Sequence, residues 1–143
     1  MVRIYNLERR NIMFIVELRK ITGVHIEEID ITELEKKVTD FVKKELSYNN
    51  ERARQHAINI LISFYLLRKN NEKPVSKSDF VDLCTKKTGL TAKVVDQRIR
   101  CLVHRLVDYI NKNDEILRCE LTAVYARSLN ILEFFYFKYM KAW

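Results

Sequence analysis

The sequence contains very little glycine and proline. Its 143 residues include two glycines, Gly23 and Gly89, and one proline, Pro74. Because these two residue types form most tight turns, a chain with so few of them is expected to consist of long helices. Two isolated glycines also exclude a glycine-rich loop of the kind that cradles a nucleotide phosphate. We predict an all-α protein, a single domain over residues 1–143 formed by a bundle of five to seven helices.

The chain also lacks the residue patterns of metal sites and of most enzymes. Cys84, Cys101 and Cys119 lie far apart and are odd in number, which is typical of reduced intracellular thiols that serve as small core residues. No Cys-x-x-Cys or His-x-x-x-His spacing supplies ligands for a metal ion. Cys101 and His104 are three residues apart, but no residue beside them would activate the thiol. We expect no enzymatic activity, no cofactor and no small-molecule substrate.

Long apolar runs are absent as well. The longest stretch that is apolar and uncharged, residues 57–67, is far shorter than the ~18 residues that a membrane-spanning helix needs. The first residues include Arg3, Glu8 and Arg9, which do not fit the layout of a secretory signal. We therefore expect an intracellular protein that does not enter a membrane.

Positive charge is abundant and unevenly distributed. The net charge is +7 and the isoelectric point is near 9.4, which favours acidic partners such as nucleic acid. Between residues 73 and 105 there are eight Lys and Arg against three Asp, an excess of five positive charges. Most of the excess charge therefore lies in about a quarter of the chain.

The same region has the pattern of two helices joined by a tight turn, over residues 76–110. Ser76, followed by Asp79, is a helix-start signal, and Gly89 suits the left-handed residue that ends a helix. Thr91 is the expected cap of the second helix. At about 100° per residue, the apolar side of that helix carries Val95, Ile99, Leu102, Val103, Leu106 and Ile110. Its opposite side carries Lys93, Gln97, Arg100 and His104.

This arrangement resembles the helix-turn-helix superfamily, whose second helix enters the major groove of DNA. The resemblance implies binding of duplex DNA, in preference to RNA, in transcription or replication control. It implies that Lys93, Gln97 and Arg100 reach base edges and that His104 lies at the rim of the groove. The residues it implies for phosphate binding are Lys77, Lys86, Lys87, Arg98 and Arg105. More broadly, residues 32–106 are similar in element order to a cyclin-like helical repeat, as in transcription initiation factor B.

The rest of the chain predicts further helices. We expect helices over residues 6–22, 32–47 and 51–69, the second capped by Thr32 with Glu35 and the third by Asn50. Residues 57–67 are apolar nearly all round, as in a helix at the centre of a bundle.

An aromatic block ends the sequence, and its rings cannot all lie on one face of a helix. We predict that the helix over residues 129–143 packs partly on the core and partly against a second copy of the chain. The candidate interface residues are Phe134, Phe135, Phe137, Tyr139 and Trp143. Base stacking by these rings is an alternative. Two other functions stay open, a helical protein-interaction adaptor and a basic subunit of an RNA–protein complex.

Overall fold

The computed structural model describes residues 2–23, 31–70, 75–113 and 128–143, with side chains from residue 12 in the first range and residue 32 in the second. Those residues form six α-helices and no strand, as predicted for an all-α bundle. The helices are α1 (Val2–Thr22), α2 (Ile31–Glu45), α3 (Glu51–Lys69), α4 (Lys77–Thr88), α5 (Ala92–Asn113) and α6 (Ser128–Phe135). A π-helical segment, Tyr136–Met140, continues α6.

Local capping explains where α3 begins and why α4 and α5 are separate helices. The Asn50 side chain accepts hydrogen bonds from the backbone N–H groups of Arg52 and Ala53, at 2.8 and 3.3 Å. Ser76 Oγ accepts from the Asp79 N–H at 3.2 Å, as predicted. Gly89 has φ +74°, a left-handed conformation that disfavours a residue with a Cβ atom, and it ends α4.

The first two helices begin earlier than predicted. The first begins at Val2 and not at residue 6. The second begins at Ile31, one residue before Thr32. The predicted cap of α5 is confirmed, since Thr91 Oγ1 accepts from the Val94 N–H at 3.4 Å. Cys119 lies outside the described residues.

Helix α3 lies at the centre of the bundle. It packs against α1, α2, α4 and α5, and ten of its residues are buried: Ala57, Ile58 and every residue from Ile60 to Leu67. Ser63 is the polar member of this run, and its hydroxyl donates to the Asn59 carbonyl oxygen at 2.8 Å. Because the hydroxyl is satisfied within the helix, α3 can be enclosed on all sides.

The aromatic tail packs on the core of its own chain, as predicted for part of it, and Phe135 is the one candidate interface residue that is fully buried. Phe135 is completely buried, with its ring centroid 5.3 Å from that of Phe41 on α2. Trp143 also packs on Phe41, at 5.4 Å, and Phe134 and Tyr139 are partly buried against the same core. A side chain that its own fold encloses is not available to a second copy.

An ion pair fastens α6 to the end of α3. Arg68 Nε donates to Glu133 Oε2 at 2.8 Å, and both side chains are mostly buried. The guanidinium carbon of Arg68 also lies 4.8 Å from the ring centroid of Phe137, and Lys141 Nζ lies 5.5 Å from the same ring. Phe137 is 49% exposed. The most exposed ring of the tail is therefore held between two cations of its own chain.

Replacing Phe135 by Ala is expected to lower the free energy of unfolding by about 3–5 kcal/mol, because the substitution leaves a cavity in the core. Phe137→Ala, which removes an exposed ring of the same type, is expected to cost far less. Urea unfolding measures both changes, and sedimentation velocity reports the oligomeric state. A Phe135→Ala variant that keeps its stability while a dimer dissociates would contradict the placement of this ring in the core.

Candidate nucleic-acid interface

Helix α5 separates its faces as the sequence predicts. All six predicted apolar residues, from Val95 to Ile110, are buried. On the opposite side, Lys93, Gln97, Arg100 and His104 are all exposed. We call these four residues the outer face of α5. The face has this form because α5 uses its apolar stripe to cover α3 and α4, which leaves the polar stripe in contact with solvent.

Asp96 joins the outer face to the start of α4. Its Oδ2 accepts from Arg100 Nη2 at 2.6 Å, and its Oδ1 lies 3.2 Å from Lys77 Nζ. The hydrogen bond from Arg100, together with the weaker one from Lys77, holds the pKa of the Asp96 carboxyl below its ordinary value of 3.8. The carboxylate orients two of the predicted DNA-binding cations and partly neutralises them.

Two predicted phosphate-binding lysines do not lie beside Lys77. Lys86 follows Lys77 by nine residues, which is about half a turn around α4. Lys87 is directed at α1, with its Nζ 5.1 Å from the ring centroid of Phe14, and burial lowers its pKa. Lys87, one of the five cations predicted to bind phosphate, therefore places its ammonium group beside α1.

Arg98 and Arg105 lie on the flank of α5 that faces α3. The guanidinium carbon of Arg105 is 4.1 Å from the ring centroid of Tyr48, which precedes α3. Arg98 acts electrostatically on both Tyr48 and His56. Both arginines are partly exposed. They border the outer face on one flank, as Lys77 and Asp96 border it on the other.

Sequence reasoning missed two features of this surface. Cys101 was expected in the core, but it is exposed between Gln97 and His104 on the outward side of α5. Cys84 is buried, as expected, and burial strongly raises the pKa of its thiol. In the sequence, Asp96 contributes only to the charge count. Its contact with Lys77 could not be predicted, because that contact depends on the angle between α4 and α5.

A polar cleft of about 350 Å³ lies beside the carboxyl ends of α2 and α5. It is lined by Glu45, Leu46, Ser47, Arg105, Asp108, Tyr109, Lys112 and Asn113. Its mixture of acids and bases gives no preference for a ligand of one charge. In the described part of the chain, no group of three or more His, Cys, Asp or Glu side chains is placed to hold a metal ion. Nor is any helix there long and apolar enough to cross a membrane.

No protein-family model, curated protein or solved structure matches this chain.

Replacing Asp96 by Asn is expected to lower the free energy of unfolding by at most about 1 kcal/mol, because Lys77 and Arg100 are 68% and 64% exposed. A carboxyl with a lowered folded-state pKa stabilises the fold above its unfolded pKa, and the contribution disappears as pH falls through the folded value. Urea unfolding should therefore show a difference between wild type and variant at neutral pH that disappears once the pH is below the folded-state pKa of Asp96.

Asp82→Asn is the matched control, since Asp82 is an exposed carboxylate on the same hairpin. It makes the same charge change, and we expect it to leave stability unchanged. Equal losses for both variants at neutral pH would show that the total charge, and not the contact with Lys77 and Arg100, is responsible.

Proposed function

We propose that the protein binds duplex DNA through the outer face of α5, in the control of transcription or replication. The observation that carries this proposal is the exposure of Lys93, Gln97, Arg100 and His104 along one side of a helix whose other side is buried. Arg donates two parallel hydrogen bonds to guanine, Gln pairs with adenine, and Lys binds phosphate. The outer face thus combines base-contacting and phosphate-contacting groups.

The dimensions of the helix support the same proposal. An α-helix with its side chains is about 10–12 Å wide and the DNA major groove is about 12 Å wide. The outer face extends from Lys93 to His104, roughly 17 Å along the helix axis at 1.5 Å per residue. Three residues, Gly89, Leu90 and Thr91, connect α4 to α5, a length that agrees with the turn of about three or four residues in a helix-turn-helix.

The pairing of Asp96 with Arg100 sets the conditions for contact with a base. An arginine already held in one orientation loses less side-chain freedom when it binds. The same carboxylate weakens the positive field of the face, because one negative charge lies beside two positive ones. We therefore expect Asp96 to favour selective over non-selective binding of duplex DNA.

The test is a salt titration of binding to labelled duplex DNA, with duplex RNA and single strands in parallel. Lys93→Glu/Arg100→Glu is expected to weaken duplex DNA binding at least about tenfold and to reduce its dependence on salt. The matched control is Lys36→Glu/Lys43→Glu, which reverses two exposed lysines on α2 and lowers the net charge by the same amount. This control is expected to bind nearly as wild type does. Circular dichroism checks that both double variants are folded.

Equal losses in the two double variants would contradict a defined interface on α5, because total charge alone would then account for binding. Stronger binding to duplex RNA than to DNA would favour the RNA-binding alternative. No binding to any nucleic acid at low salt would remove the proposal.

A second candidate function, that of a helical interaction protein, is favoured by an apolar surface on α1. Ile12, Met13 and Val16 are 62%, 41% and 56% exposed, although all are large apolar side chains. Val16 follows Ile12 by four residues and Met13 by three, and these spacings place it on the same side of the helix as both. Contiguous apolar surface of this kind is typical of interaction sites. We propose that a second copy of the chain binds there, because three of the four large apolar side chains that are exposed in the described residues lie on this surface.

Sedimentation velocity over a range of protein concentrations tests the second candidate. Self-association that Val16→Glu abolishes, and that Phe137→Glu preserves, is the expected result for a second copy bound at α1. A monomer at all concentrations, or a dimer that only Phe137→Glu disrupts, would contradict it. Duplex DNA binding by Val16→Glu, measured in the same samples, shows whether the two surfaces act independently.

A further inference from the structure

Among the aromatic side chains that the structure describes, Phe137 is the one that is exposed to solvent, at 49%. It lies on the π-helical segment that continues α6, in which the Lys141 N–H donates to the Tyr136 carbonyl oxygen at 2.8 Å. π-Helical turns are rare and are frequently found at functional sites. The proposed contact of α5 with duplex DNA makes no use of this ring.

Two cations border the Phe137 ring, and they differ in their freedom to move. The guanidinium carbon of Arg68 lies 4.8 Å from the ring centroid, and its Nε donates to Glu133 Oε2 at 2.8 Å. The Arg68 side chain is only 16% exposed, so the ion pair and the surrounding helices fix it. Lys141 Nζ lies 5.5 Å from the same centroid, on an exposed side chain. Because a lysine side chain is flexible, Lys141 can leave the ring when another group stacks there.

Further rings and a third cation connect Phe137 to the end of α3. The ring centroid of Phe137 lies 5.5 Å from that of Tyr136, which lies 5.9 Å from that of Tyr65. Lys69 Nζ lies 5.6 Å from the Tyr65 ring centroid, and its side chain is exposed. Arg68 contacts a second ring of this group, since its guanidinium carbon lies 5.7 Å from the Tyr136 centroid. We use the name Phe137 patch for Tyr65, Arg68, Lys69, Tyr136, Phe137 and Lys141.

The Phe137 patch combines an exposed ring with positive charge. The carboxylate that contacts it, Glu133, is already paired with Arg68, so Lys69 and Lys141 give the surface an excess of positive charge. In single-stranded nucleic acid, bases stack on aromatic rings while nearby cations bind the backbone phosphates. A duplex keeps the faces of its bases inside the stack and offers none to Phe137. An acidic peptide would satisfy the lysines but would leave the ring unused.

We propose that the Phe137 patch binds single-stranded nucleic acid, with one base stacked on Phe137 and neighbouring phosphates bound by Lys69 and Lys141. The inference goes beyond the proposed function, because both the ligand and the surface differ from duplex DNA on the outer face of α5. Arg68, which Glu133 fixes, keeps its contact with the ring and positions it. Lys141 exchanges its contact with the ring for one with a phosphate.

The first experiment measures the dissociation constant of a labelled oligothymidylate for wild type and for two variants of Phe137. Phe137→Leu keeps an apolar side chain and the charge but removes the ring, and it is expected to weaken binding at least about fivefold. Phe137→Trp restores a ring and is expected to bind at least as tightly as wild type. Circular dichroism checks that both variants are folded. Wild-type affinity in Phe137→Leu, or no binding by wild type at low salt, would overturn the inference.

A salt titration of the same binding tests the lysines. Lys141→Gln is expected to reduce the slope of log affinity against log salt by about 0.7, the value for one phosphate contact on a single strand. The matched control is Lys43→Gln, which removes the charge of an exposed lysine on α2 and should leave the slope unchanged. Equal reductions in the two variants would assign binding to total charge and contradict the patch.

The second experiment locates the stacked base directly. An oligothymidylate that contains iodouracil is bound to the wild-type protein and irradiated, and the linked peptide is identified by mass spectrometry. A base stacked on a ring is expected to link to that ring, so the cross-link should map to Phe137 and be lost in Phe137→Leu. A cross-link confined to α5 would place the single strand elsewhere and overturn the inference.

Two comparisons separate this inference from its alternatives. Lys93→Glu/Arg100→Glu is expected to lose duplex DNA binding and to keep the Phe137-dependent binding of oligothymidylate. If the single strand instead requires Lys93 and Arg100 but not Phe137, the inference is wrong and α5 binds both nucleic acids. If duplex DNA fails to bind while the single strand requires Phe137, the proposed function is wrong and the inference stands. Displacement by poly-aspartate as effective as that by unlabelled oligothymidylate of equal charge would indicate an acidic protein partner and contradict base stacking.

Discussion

Helix α3 is apolar around almost its whole circumference, and the rest of the structure depends on enclosing it. Helices α1, α2, α4 and α5 all pack against it. Because burial of apolar area is the main favourable contribution to folding, each of these helices turns its own apolar stripe inward. The polar stripe of α5 is left facing solvent as a consequence. The candidate interface is thus the outer surface of a helix whose orientation is determined by α3.

The cations on α5 and next to it are arranged in three rows around that surface. The outer face itself carries Lys93 and Arg100, one flank contacts Lys77 through Asp96, and the other flank turns Arg98 and Arg105 toward α3. Arg100 of the outer face and Lys77 of α4 share the Asp96 carboxylate, and Arg105 packs on Tyr48, which precedes α3. Some of the charges that would contact DNA therefore also make contacts within the protein.

Sequence patterns predict much of the fold but only part of the site. The caps at Asn50 and Ser76, the left-handed Gly89 and the buried run of α3 all follow from local preferences, and the structure confirms them. The period of α5 also identifies which of its residues are exposed. The contact of Lys87 with Phe14 and that of Phe135 with Phe41 were not predicted, because they depend on which helix lies beside each side chain. Spacing along a chain carries no information about helix–helix angles, and the same limit concealed the Lys77–Asp96 contact.

Cys101 offers the most direct test of the central claim, because its thiol is exposed between Gln97 and His104 while Cys84 is buried. In a Cys119→Ser variant, the rate at which N-ethylmaleimide alkylates Cys101 is measured with and without a saturating amount of duplex DNA. If DNA covers the outer face of α5, bound duplex slows the alkylation strongly, and added salt restores the rate as the complex dissociates. An unchanged rate on fully bound protein would show that the DNA lies elsewhere, and would contradict the account.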